Sequence, residues 1–101
     1  MKRSHTLEEH VQMGQLIKDA CNAVRAVRKY GEEHDMLYVK DVDRLIRQEH
    51  APALTNLRSR LDDEMFHEHS YLTNDAFDVY YHDDDVVTVD ELLEAVRKVR
   101  Y

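Results

Sequence analysis

Residues 6–31 read TLEEHVQMGQLIKDACNAVRAVRKYG, and this stretch decides the fold class. Thr6-Leu7-Glu8-Glu9 has a hydroxyl and a glutamate three residues apart, the spacing at which each satisfies a backbone N–H of the other at a helix start. Gly31 stands where a helix commonly stops. At ~100° per residue, His10, Met13, Ile17, Ala20, Cys21, Val24 and Val27 share one face. One long amphipathic helix over Thr6–Tyr30 is therefore expected. Gly14, Ala20 and Cys21 are small enough to let another element approach closely, and Arg25, Arg28 and Lys29 suit the negative end of the helix dipole. A neighbouring polar group is expected to satisfy His10 on the apolar face.

The same periodicity predicts a second helix over Asp35–Glu49, with Tyr38, Val42, Leu45 and Ile46 inside and Lys40, Arg44 and Arg47 opposite. Pro52 opens a third helix, whose stripe is Leu54, Leu57, Leu61 and Met65, with Phe66 off the stripe. After Ser70 the period shortens. Phe77, Val79 and Tyr81 alternate with Asp78 and Tyr80, and Val86-Val87-Thr88-Val89 is β-branched, so a small hairpin is expected across His82-Asp83-Asp84-Asp85; disorder over Ser70–Asp85 is the alternative. Thr88-Val89-Asp90-Glu91 repeats the capping spacing and opens a last helix burying Leu92, Leu93, Val96 and Val99, with Glu94 and Lys98 paired outside. The expected fold is mainly α, a compact bundle of about four helices with a small β-hairpin before the last.

A chain of 101 residues supports one domain over 1–101. Its single cysteine, Cys21, excludes an internal disulfide framework. Acidic residues follow Met1-Lys2-Arg3-Ser4 where a secretory signal needs an apolar stretch, so none is expected, and no apolar run approaches the ~20 residues that cross a bilayer. A soluble, cytoplasmic protein is expected, with no membrane partner.

Charge is unevenly placed. The net charge is −7, yet residues 1–61 carry 11 basic and 9 acidic side chains, whereas 62–94 carry 12 acidic ones and no Lys or Arg. Such a surface attracts opposite charge. With Phe66, Tyr71, Phe77, Tyr80 and Tyr81 interspersed as contact residues, the segment predicts a non-enzymatic interaction module, a regulator or inhibitor that docks a basic, nucleic-acid-binding protein. The candidate partner-binding residues are Asp62, Asp63, Phe66, Asp78, Tyr80, Tyr81, Asp83, Asp84 and Asp85.

Other chemistries have thinner support. Asp84–Leu92 resembles only the back half of an EF-hand loop, since Tyr80 and His82 fall where its first carboxylates belong. Glu64-Met65-Phe66-His67 has the Glu-x-x-His spacing of di-metal bundles but occurs once, so Glu64, His67 and Glu68 define a metal-binding alternative. Cys21 is mid-helix on the buried face, and no nucleophile motif or phosphate loop is present, so neither an enzyme nor a cofactor is expected. A DNA-binding alternative joins Asp41–Ile46 and Leu54–Leu61 as a helix-turn-helix, or a winged helix with the hairpin. It offers Thr55, Asn56, Ser59 and Arg60 to bases and Lys40, Arg44 and Arg47 to phosphates. The acidic hairpin has the wrong sign for that wing. A homo-oligomer is expected from Phe66, Tyr71 and Tyr80, which one helical layer leaves uncovered.

Overall fold

The computed structural model describes residues 4–100. Thr6 caps α1 (Leu7–Glu33) as its spacing requires: its Oγ1 accepts from the Glu9 amide at 3.1 Å, and the Glu9 carboxylate accepts from the Thr6 amide at 3.0 Å. Gly31 does not stop this helix. Its missing side chain instead admits Leu37, whose Cγ would lie 2.6 Å from an added Cβ. The helix ends two residues later at Glu33; beyond it Asp35 takes the left-handed conformation (φ 56°), Met36 donates to the Gly31 carbonyl and Asp35 to that of Glu32. This is a Schellman closure with aspartate in the usual glycine place. Consequently α2 (Val39–Glu49) starts later than Asp35.

Pro52 opens α3 (Pro52–Glu68) at its first turn, as expected, and α4 spans Val89–Arg100. The Thr88 hydroxyl caps α4 by accepting from the Glu91 amide. Glu94 pairs with Arg97 rather than Lys98. Leu92 and Val96 are buried, and the Val99 side chain lies outside the described residues.

The hairpin is absent: among the described residues there is no strand, and Asn74–Val79 forms a 3₁₀ helix. Two short strands with no third to pair with are marginal. The 3₁₀ turn instead buries Ala76, Val79 and Tyr80 and leaves Phe77 exposed, so of the expected inward set only Val79 is fully buried. The principal packing runs from α1 to each other element, and from the 3₁₀ helix to α4. The plate measures 54 × 32 × 16 Å, with a radius of gyration of 16.5 Å, against about 13 Å for a compact chain of this length.

The buried face of α1 is Leu7, His10, Gly14, Ile17, Lys18 and Cys21, while Met13, Ala20 and Val27 are exposed. The wheel is therefore rotated from the apolar one, towards whatever packs there. On α2 the expected inner residues Tyr38 and Ile46 are also exposed. The core joins Leu7 and Ile17 to Leu61, Met65, Ala76, Val79, Tyr80 and Leu92, with Phe66 packed partly against it.

Gly14 permits this arrangement, because a Cβ there would lie 2.0 Å from the carbonyl oxygen of Val79. Backbone cannot swing aside as a side chain does. Gly14→Ala is therefore expected to destabilise the fold by about 1–3 kcal/mol, despite alanine's ~1 kcal/mol advantage in helix propensity. Urea unfolding checks this, and a gain in stability would contradict the close contact.

Candidate functional site

The acidic segment meets its counter-charges on α1, where Lys18, Asn22 and Arg25 follow at spacings of four and three and share a face. The Lys18 side chain is 1% exposed. Its ammonium donates to the backbone carbonyls of Asp78 and, at 2.8 Å, Asp85. Burial lowers its pKa, opposed by the carboxylates of Asp85, Asp78 and Asp83. Asn22 donates to the Asp83 carbonyl at 3.0 Å. Arg25 meets the Asp83 carboxylate at 2.6 Å, and Arg58 of α3 meets it at 2.8 Å. Arg25 and Arg28 also hold the buried Glu49 at the end of α2. These arginines bind carboxylates across elements, beyond any role at the helix dipole.

This seam sorts the sequence-selected residues. Asp83 is 10% exposed and bonded to two arginines, so it is part of the internal seam. Tyr80 is wholly buried, its hydroxyl 2.6 Å from His10 Nδ1, and has no surface to offer a partner. Burial also keeps its phenol protonated by raising the pKa. Phe66 is half-buried against the core, so of the three residues on which self-association was argued only Tyr71 remains exposed. Tyr81 stacks on Phe77 with centroids 4.3 Å apart, under the Arg58 guanidinium. Asp63, Asp84 and Asp85 are exposed, and Asp78 holds His82 at 2.5 Å.

What remains open is a groove of about 670 Å³ between the 3₁₀ helix and α4. Asp75 and Asp78 line it from one side, Asp90, Glu91 and Glu94 from the other, with Val87, Leu92 and Ala95 supplying apolar lining and Lys98 one opposite charge. Beside it, a hollow of about 450 Å³ is bounded by Phe66, Phe77, Asp75, Asp78 and His82. The structure thus brings Asp78 and Phe66 to one region. The first-turn acids Asp90 and Glu91 also suit their helix end, but the groove gives them a second setting that helix capping alone did not reveal.

The trio of the metal-binding alternative does not assemble: Glu64 pairs with Arg60 at 2.9 Å, His67 is exposed, and Glu68 turns to His10 at 2.7 Å. That bond holds the Glu68 carboxyl below its ordinary value. Among the described residues, His5 with His10 and Glu68, and Asp78 with His82 and Asp85, bring ligand atoms close enough to share a cation. His10 was readable as a core residue with a polar partner, but its partners lie 58 and 70 residues away. For the DNA alternative, Thr55, Asn56 and Ser59 are exposed, whereas Arg60 is engaged by Glu64 and no wing exists among the described residues.

Compared with protein families, with curated proteins and with solved structures, the chain matches none.

Asp62 has a buried Oδ1 with no hydrogen-bond partner, as His5 has at Nδ1 and Arg58 at Nε. Burial, aided by the charge of Asp63, pushes its pKa up to about 6. The folded protein holds that proton more tightly than the unfolded chain, where the value is ~3.9. Asp62 therefore opposes folding once ionised, fully above about pH 6 and not at all below about pH 4. Asp62→Asn is expected to add about 1–2 kcal/mol of stability at neutral pH and nothing near pH 3. Denaturant titrations at both pH values check the sign and the window.

Proposed function

We propose that this chain is a small non-enzymatic binding module that receives a basic segment of a partner protein in the groove between the 3₁₀ helix and α4. Five carboxylates, Asp75, Asp78, Asp90, Glu91 and Glu94, facing one lysine, are the observation that carries this reading. Like charges crowded along a groove repel one another, and a Lys- or Arg-rich segment relieves that repulsion while being steered in by the field. The aromatic hollow at Phe66 and Phe77 adds contact area next to the charge.

A regulator or inhibitor of a nucleic-acid-binding protein in the cytosol fits this chemistry, because such partners carry the required basic segments. No helix of the described residues is long and apolar enough to cross a membrane. The homo-oligomer belongs to the same proposal, moved to the uncharged patch of Val27, Tyr30 and Met36. Two copies each carrying −7 repel least where the surface is neutral.

A fluorescent Arg-rich peptide serves as the probe, with anisotropy read against salt. Asp75→Asn, Glu91→Gln and Glu94→Gln combined are expected to weaken binding at least about tenfold and flatten its salt dependence. Asp84→Asn, outside the groove, should change affinity less than about twofold. Unchanged binding in the triple variant would refute the groove as the docking site.

A further inference from the structure

At the other end of the core, the start of α1 meets the end of α3, and two histidines converge on one carboxylate. Neither comes from the Glu-x-x-His motif. His10 is 2% exposed and places Nε2 at 2.7 Å from Glu68 Oε1. Its other nitrogen, Nδ1, is 2.6 Å from the Tyr80 hydroxyl, which fixes the ring. His5 lies just before the cap of α1, and its backbone amide donates to the same Glu68 oxygen at 3.2 Å. Its ring Nδ1 is 3.8 Å from Glu68 Oε2 and is buried without a hydrogen-bond partner. The His69 Nε2 donates to the His5 carbonyl at 2.8 Å and steadies that segment.

We infer that His5, His10 and Glu68 form a binding site for a single Zn²⁺ ion, with a fourth position open to the neighbouring cavity. The three ligating atoms already lie within 4.8 Å of one another. Zinc bonds of ~2.0–2.2 Å in a tetrahedron set ligand atoms about 3.3 Å apart. His10 Nε2 stands 2.7 Å from one Glu68 oxygen, Oε1, and His5 Nδ1 stands 3.8 Å from the other, Oε2. A small opening at His10 and a turn of the carboxylate that offers one oxygen to both rings bring the three to that spacing. Zinc displaces to solvent the proton shared by His10 and Glu68. It also gives the orphaned His5 Nδ1 a partner, relieving the cost of a buried polar atom left unpaired.

The surroundings have the features of a metal's outer shell. Tyr80 orients His10 through the nitrogen that does not face Glu68, the role that outer hydrogen bonds perform for ligating imidazoles. The cavity, of about 190 Å³, is lined by His5, Glu9, His10, Met13, Leu61 and Tyr80, and leaves room for a water on the ion. Two imidazoles and one carboxylate suit zinc, which takes nitrogen and oxygen donors and leaves a position free when only three protein ligands are supplied. The three residues of the site line no part of the acidic groove, so the two readings stand independently.

The test uses the full chain without a histidine tag, stripped of metal and titrated with Zn²⁺ against a chromophoric chelator, with thermal unfolding in parallel. One Zn²⁺ per chain is expected, together with a rise in the unfolding temperature. His5→Ala and Glu68→Gln should each weaken binding at least about tenfold and abolish the thermal shift. His5 is partly exposed at the edge of the fold, so His5→Ala should keep the native circular dichroism. His67→Ala and His82→Ala should bind as the parent does. No zinc bound at micromolar concentrations, unchanged affinity in His5→Ala, or a loss that follows His82→Ala instead would each overturn the assignment.

Discussion

A buried ammonium on α1 is the interaction on which the rest of the structure depends. Lys18 reaches the carbonyls at the end of the 3₁₀ helix and at the end of the acidic loop, and so closes residues 78–85 into one cradle. Removing a lysine head group from water is costly. That cost is offset because both acceptors carry partial negative charge and the carboxylates of Asp85, Asp78 and Asp83 surround the site. Gly14, four residues before Lys18, lets the same turn sit directly on the helix backbone. Close approach and the buried charge are therefore two parts of one docking event.

From that event follows the division of the acidic segment. Asp83 turns inward to Arg25 and Arg58 and serves the fold. Asp75, Asp78, Asp90, Glu91 and Glu94 are left lining an open groove. Negative charge is gathered along this groove, and counting charges along the chain could not distinguish the two populations. The inward carboxylate is neutralised within the fold, whereas the outward ones, apart from the pairs Asp78 makes with His82 and Glu94 with Arg97, repel one another along the groove.

Local signals were legible. The capping residues Thr6 and Thr88, the proline at the start of α3 and the stripe of Leu61 and Met65 all act within a turn or two of themselves, and the structure places them as their spacing implies. What could not be read is what arrives from far along the chain. The face of α1 is set by Val79 and Tyr80, which select Gly14 and Lys18 for burial over Met13 and Val27. Alternation at Phe77, Val79 and Tyr81 reads as a strand, but Ala76 and Val79, three residues apart, share a face of the 3₁₀ helix, and Tyr80 is buried at its cap. The candidate site shows the same limit: the acids were visible one by one, whereas the groove needs α4 beside the 3₁₀ helix. The cluster of His5, His10 and Glu68 joins the two ends of a 64-residue span and leaves no local trace.

Native-state hydrogen exchange on Lys18→Met tests the clamp most directly, since methionine keeps the stem and removes only the charged donor. If Lys18 holds the cradle, amides of residues 76–85 should lose protection and the fold should weaken by about 2 kcal/mol, the scale of leaving buried acceptors unpaired. Unchanged protection over residues 76–85, with stability equal to or above that of the parent chain, would contradict the central role of Lys18.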